Sequence, residues 1–316
     1  MLTGYNLTHM IRQFKHRETT WIDVTSPAKE ELATLARDYG LHSLVENELG
    51  SPSTRAHADL YDNYIYLVLH FPHCDFSLGP NKDEGDQEVD FIVGKDFLIT
   101  IHYEPIQSLD EFGQIFEANL VNEDTSKKNQ AGILFYHIAL SIYKSLDAGL
   151  LTISDELRKA EKEIFNGKEK EMVVVLSNIN HKLFDYSWAL KNHADILLSF
   201  DAASATLFGN DYSRYTKKIY HTYRRIYSTL ESLKEMFDDL QTTNDSLLSI
   251  KTNEIMKVLT IMAFTTFPLT VLTSMFGMNT IHNPILGMRY DFWVIVAMML
   301  GAVGAMFIFF RYKRWF

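Results

Sequence analysis

Cysteine is almost absent: Cys74 is the only one in 316 residues. That excludes a disulfide framework within the chain and suits a reducing compartment. Phosphate-binding loops are absent too, because Gly167-Lys168 lacks the earlier glycine such a loop requires, and there is no His-Glu-x-x-His pair. Nothing in the sequence assembles a catalytic constellation, so an enzyme has no support. The N-terminus, MLTGYNLTHMIRQFKHR, lacks the apolar core of a secretory leader. Basic charge is scarce. The whole chain is at −10, and its first 250 residues carry 24 Lys and Arg against 38 Asp and Glu, a net of −14. A polyanion such as nucleic acid is excluded as a partner on that balance. The acidity serves solubility and is compatible with collecting divalent cations. The longest absence is of charge itself: Val258 to Met288, 31 residues, holds no Asp, Glu, Lys or Arg.

Within that stretch the 19 residues Val258 to Phe276 form an apolar run, and Phe292 to Phe310 form a second of 19. At ~1.5 Å per residue each covers roughly 28 Å, close to the ~30 Å hydrocarbon core of a bilayer. Both read as membrane spans. Lys251 and Lys257 precede the first; Arg311, Lys313 and Arg314 follow the second; the connection has only Arg289. This asymmetry places both termini in the cytoplasm, with a short outer loop. Tyr290, Trp293, Tyr312 and Trp315 stand where interfacial aromatics belong.

The spans differ in character. The second has small residues at Ala297, Gly301 and Ala305, a groove suited to close helix packing. The first carries Thr260, Thr265, Thr266, Thr270, Thr273 and Ser274, more hydroxyls than bonding back to the helix accounts for, plus Pro268. It is expected to line a water-containing path, with the second span facing lipid. Two helices cannot enclose a path, so the path must lie on the axis of a homo-oligomer.

The N-terminal part reads as mixed α/β. Thr20–Val24 is a strand, Ser26-Pro27 starts a helix running to Tyr39, and Tyr64–Phe71 is a buried strand. Glu88–Val93 and Phe97–His102 form a hairpin around Gly94-Lys95, and Leu109–Asn119 is a helix. Residues 130–166 read as one long helix and 169–208 as a second. A third has no Gly or Pro from Ser213 to Pro268 and runs into the first span. Its soluble part has a heptad seam: Tyr223, Leu230, Phe237 and Asn244, with Ile219, Ile226, Leu233, Leu240 and Leu247. Such a seam serves either a neighbouring subunit's helix or packing within one chain. Asn244 would set its register.

The run NEIMKVLTIMAFTTFPLTVLTSMFGMNT, Asn253 to Thr280, resembles the CorA family of divalent-metal channels. The likeness rests on the asparagine-led approach, Met256, Leu259, Pro268-Leu269-Thr270 and the closing Gly277-Met278-Asn279. It implies an α+β membrane protein: an N-terminal α/β cytosolic domain and a long stalk helix continuous with the first of two C-terminal transmembrane helices. It implies a homopentamer with an axial pore in the plasma membrane. Gly277, Met278 and Asn279 would be its selectivity filter, with Asn279 meeting a hydrated Mg²⁺ through the ion's water shell. Ser274, Thr270, Phe267, Leu259, Met256 and Asn253 would line the pore, Leu259 and Met256 as an apolar gate. Ser274 stands where relatives often have Gly, and Phe267 where Met is expected. Mg²⁺ is then cargo, with Co²⁺ or Ni²⁺ as alternatives, and no organic cofactor is expected. The partners are further copies of the chain and the lipid bilayer.

The expected partition is 1–128 (α/β domain), 129–211 (helical hairpin), 212–254 (stalk), 255–279 (pore helix), 280–291 (outer loop) and 292–316 (second span and basic tail). Two other readings stay open. One is a zinc-transporting or efflux relative, because the outer loop has only Asp291, His282 and Arg289 where many relatives put a glutamate. The other is a scaffold or sensor that has lost transport. Asp75 and Glu84, in an acidic stretch, are candidates for a regulatory metal site. In relatives, an upper-stalk aspartate binds that metal; its counterpart here is Lys218, which cannot ligate Mg²⁺. Lys218 is expected instead to pair with an acid such as Asp75 or Glu84. The basic patch Lys217, Lys218, Arg224 and Arg225 is expected against the acids of 155–171. His70, His73 and Cys74 read as ordinary strand-end residues rather than a transition-metal site.

Overall fold

The computed structural model describes residues 10–16, 19–53, 55–73, 86–117, 130–278, 285 and 289–313. Two compact units divide at Leu240/Gln241.

The N-terminal unit is built on a six-stranded sheet: β1 (Met10–His16), β2 (Thr19–Thr25), β3 (His57–Leu60), β4 (Tyr64–Pro72), β5 (Asp86–Gly94) and β6 (Phe97–His102). The order is β1-β2-β6-β5-β4-β3. Only β2 and β6 pair in parallel. Every residue of β4 is buried, because β3 and β5 flank this strand and helices cover both its faces. On one face α1 (Lys29–Tyr39) and α2 (Ser43–Glu48) contribute Leu32, Leu35 and Val45 to a core with Tyr66, Val68, Ile92 and Ile99. The other face meets α3 (Gln107–Glu117), α4 (Gln130–Phe165), α5 (Glu169–Leu190) and α6 (His193–Phe208). There Phe91 packs edge-on against Phe135 of α4 at 5.2 Å between ring centres.

The hairpin expected around Gly94-Lys95 is present, with Val93 opposite Leu98. Two expectations need correction. Ser26 does not start the first helix. It sits at φ 52, its N–H bonded to the His102 carbonyl at 2.8 Å. The N-cap is Ala28, whose N–H is taken by Glu31 Oε2 at 2.8 Å. Residues 169–208 are two helices, broken at Lys191-Asn192 with no Gly or Pro. Of the two uses left open for the heptad seam, the structure takes packing within the chain from Ile219 to Leu240, where it is buried. Tyr223, for example, donates to the Leu190 carbonyl at 3.2 Å and lies 5.8 Å from the His193 ring. That part of the seam is therefore not free for a neighbouring copy. Asn244 is also buried, and its Oδ1 has no hydrogen-bond partner.

The break before α6 points His193 inward. Its Nδ1 is 2.8 Å from the Tyr143 hydroxyl and its Nε2 2.8 Å from the His70 carbonyl, which fixes a neutral tautomer donating to the carbonyl. Three elements, α4, α6 and β4, are tied by one imidazole. Burial pushes its pKa down from 6.5 to about 4. The unfolded chain therefore takes up this proton first as pH falls, so the stability His193 contributes is complete above 6.5 and lost towards about 4. The unfolding midpoint of the N-terminal unit should fall across that window, and His193→Gln should flatten the fall. Tyr143→Phe, which leaves Nδ1 without its donor, should cost ~1–3 kcal/mol at neutral pH in denaturant unfolding.

Candidate functional site: the uncharged face of α7

Helix α7 runs without interruption from Ser213 to Phe276, 64 residues, as the sequence leads one to expect. From Gln241 it belongs, with α8 (Asp291–Tyr312), to the second compact unit. Both helices are long and apolar enough to cross a membrane. Pro268 sits inside α7 without breaking it. Proline has no N–H to give, so the carbonyl of Phe264 loses its partner four residues on.

At ~100° per residue, Asn253, Met256, Leu259, Phe267, Thr270 and Ser274 fall within an arc of roughly 120° on α7. Leu259 marks one edge and Asn253 the other. Thr260 and Ala263 lie inside the same arc. All of these side chains are exposed or half-exposed in the single chain. Phe267 is the most open of the large ones, at 71%, against 56% for Met256 and 53% for Leu259. The arc thus reads, from the N-terminal end, as amide, apolar pair, bulky aromatic, then hydroxyls.

The threonines correct one inference. Every threonine of the span bonds back to the helix: Thr260 to the Met256 carbonyl (2.7 Å), Thr265 to Ile261 (2.7 Å), Thr266 to Met262 (3.0 Å), Thr270 to Thr266 (2.9 Å) and Thr273 to Thr270 (2.9 Å). The excess of hydroxyls therefore does not by itself mark a wet face. Thr265 lies on the opposite side, and Thr266 and Thr273 just outside the arc. What remains useful is the polarity of Thr260 and Thr270. With their protons committed to carbonyls, these oxygens offer only lone pairs outward. Lone pairs are what the waters around a cation seek, since those waters are oriented as donors.

Gly277 ends the helix, its N–H bonded to the Thr273 carbonyl at 2.8 Å. A Cβ there would stand 3.1 Å from that carbonyl oxygen and 3.6 Å from that of Ser274, so the glycine permits a tight end. Met278 follows and is 59% exposed. Asn279 lies outside the described residues, as do Asp75, Glu84 and Cys74. On α8 a Cβ at Gly301 would meet nothing within 4 Å, so the small-residue row is open in the single chain.

Across residues 16–314 the chain matches the model of a family described as CorA-like Mg²⁺ transporter protein. This chain belongs to that family. It is 26% identical over 297 residues to the cobalt/magnesium transport protein CorA of Thermotoga maritima, covering 94% of this chain and 83% of the relative. It is 22% identical to the protein of the same description from Methanocaldococcus jannaschii, covering 96% and 93%. The complete structure of the M. jannaschii CorA magnesium transporter superposes with a TM-score of 0.80 at 19% identity, over 96% of this chain and 93% of that one. The full-length CmaX protein gives 0.72 at 18% identity, over 94% and 89%. The CorA architecture is therefore shared along nearly the whole length: N-terminal α/β unit, long helix and two C-terminal apolar helices. The family consists of transporters and not enzymes.

Away from α7, the strand-end histidines are engaged by protein groups. His70 Nε2 lies 3.0 Å from the Ser53 carbonyl, and His73 Nδ1 2.7 Å from Gln87 Nε2. No group of three or more metal-ligating side chains occurs among the described residues. The basic patch is not matched as expected: Arg225 pairs with Asp147 at 3.1 Å, outside 155–171. Two acids of that segment pair elsewhere, Glu156 with Lys182 (2.7 Å) and Glu163 with Lys168 (2.5 Å).

Proposed function

We propose that the chain assembles as a homopentamer that conducts divalent cations passively through an axial pore, with Mg²⁺ as principal cargo and Co²⁺ or Ni²⁺ also accepted. The observation that carries this reading is the single arc of exposed, uncharged side chains on α7, in a family of Mg²⁺ transporters. The setting is the plasma membrane, with both termini in the cytoplasm.

Mg²⁺ dehydrates reluctantly and prefers its octahedral waters. A ring of Asn279 amide oxygens would accept hydrogen bonds from those waters without stripping them, where a carboxylate ring would bind more tightly and slow release. Ser274 and Thr270 would hand the hydrated ion inward. The rings of Met256 and Leu259 would close the path by dewetting near its inner end, and Phe267 would narrow it between. No energy source beyond the membrane potential is needed: about 100 mV is worth roughly 4.6 kcal/mol to a divalent ion.

Replacing Asn279 by Ala should cut Mg²⁺ uptake into proteoliposomes by at least ~10-fold while the oligomer survives, since water-accepting oxygens are lost from the mouth. Near-normal flux from an assembled variant would rule out ion selection by this ring.

Met256→Ser or Leu259→Ser should raise flux or leak, because hydroxyls wet a constriction that apolar rings keep dry. If neither variant conducts more than the parent, the gate lies elsewhere and Phe267 is the next position to test.

Lys218 is taken as a tethered cation in place of a regulatory Mg²⁺, paired with an acid such as Asp75 or Glu84. Protease resistance of the cytosolic part should then change little between chelator and excess Mg²⁺. Strong Mg²⁺-dependent protection, lost on substituting acids near the stalk, would show that a sensing site persists.

A further inference from the structure

Three ionisable side chains are buried in the core on the α1/α2 side of the sheet. His70 of β4 stands directly opposite Glu88 of β5, and Asp90 follows two residues along the same face. They are 8%, 6% and 0% exposed. His70 Nε2 is 3.3 Å from Glu88 Oε2 and 3.0 Å from the Ser53 carbonyl. The Ser53 N–H donates to the same Glu88 oxygen at 2.6 Å. Asp90 accepts from the Tyr66 hydroxyl at 3.0 Å and from the Tyr103 hydroxyl at 3.4 Å. Tyr103 also lies 3.2 Å from the Leu49 carbonyl. The chain segment after α2, Leu49 to Ser53, is thus held to the sheet through these same side chains. Glu88 Oε1 is buried with no hydrogen-bond partner.

Charge decides how such a cluster must be occupied. Two ionised carboxylates against a neutral imidazole would leave two uncompensated charges in the core, which is prohibitive. A protonated His70, an ionised Glu88 and a neutral Asp90 sum to zero. The surroundings favour holding protons. Burial, then the charge of Glu88, raise the Asp90 pKa well above the carboxylate range. Burial opposes a charge on His70, but bonds to Glu88 and Ser53 and the nearby Asp86 outweigh it and raise its pKa. From α2 comes Glu48, 3.6 Å from His57; from β3 come His57, whose ring lies 5.2 Å from that of Tyr66, and Asp59. From the opposite face neutral His193 donates to the His70 carbonyl.

We propose that His70, Glu88 and Asp90 form a proton-operated latch, which docks the Leu49–Ser53 segment while the cluster holds two protons and releases it when one passes to solvent. Both affected groups have pKa values raised by folding. The latch's stability is therefore complete at low pH and declines as pH rises through those raised values, above 6.5 for His70. This is the opposite direction to His193.

The test is hydrogen exchange on the full-length protein in detergent at about pH 6 and about pH 8.5, read at the backbone amides of Leu49, Gly50, Ser51 and Ser53 and corrected for intrinsic exchange rates. Protection should fall by at least ~10-fold between the two, the change expected of one pKa unit of differential binding. Asp90→Asn keeps a group that can bond both tyrosines but cannot ionise, and should remove most of that difference while raising protection at the higher pH. Should Asp90→Asn fail to fold, Glu88→Gln removes the repulsion on Asp90 and should flatten the same dependence. Equal protection at the two pH values in the wild type, or an unchanged pH ratio in the folded variant, would overturn the latch.

Discussion

The backbone hydrogen-bond ladder of α7, continuous but for Pro268, is the constraint on which the candidate site depends. In hydrocarbon there is no water to satisfy a peptide group, so a spanning segment must satisfy its own. Helix α7 does this from Ser213 to Phe276 except at the Phe264 carbonyl, which Pro268 leaves without an N–H. The threonines add to the same economy by returning their hydroxyl protons to carbonyls one turn earlier. Their oxygens are then left as acceptors, a consequence of satisfying the backbone rather than a separate adaptation. Where the ladder is interrupted, at Pro268, the interruption falls beside Phe267 and Thr270 in the arc read as pore face.

That arc acquires meaning from what it lacks. It carries no charge, and its large members, Met256, Leu259 and Phe267, are open in the single chain. A lipid-facing helix has little use for exposed hydroxyls and an amide at one face, and a soluble helix has little use for bare Phe and Leu. The proposed path on an axis shared by several copies would reconcile the two. Hydrated ions would then meet lone pairs at one end and an apolar constriction at the other, separating selection and closure along one helix.

The N-terminal unit obeys a different constraint. Its sheet is covered on both faces, so polar groups inside pair with protein groups rather than water, Glu88 Oε1 being an exception. One imidazole, His193, joins α4, α6 and β4 in a neutral state. A second cluster, at His70, Glu88 and Asp90, is neutral only as a set. Falling pH strains the first, and in the proposed latch rising pH strains the second, from opposite faces of one sheet.

Spans, hairpin and stalk were legible in the sequence because each rests on a local pattern: 19-residue uncharged runs, Gly94-Lys95 between alternating strands, and the absence of Gly and Pro from Ser213 to Pro268. The six pore-face candidates were placed by family likeness, and helix periodicity puts them on one arc. Other features were decided by long-range packing. Strands β1 and β3 carry too little apolar pattern to announce themselves, and they form because β2 and β4 offer edges. The break at Lys191-Asn192 has no Gly or Pro to signal it. The seam of α7 could have served another subunit or its own chain, because a heptad records burial and not what does the burying; tertiary structure gives residues 219–240 to the chain's own fold. Glu88 and Asp90 read in sequence as part of a strand that follows an acidic stretch, and only strand register sets Glu88 opposite His70.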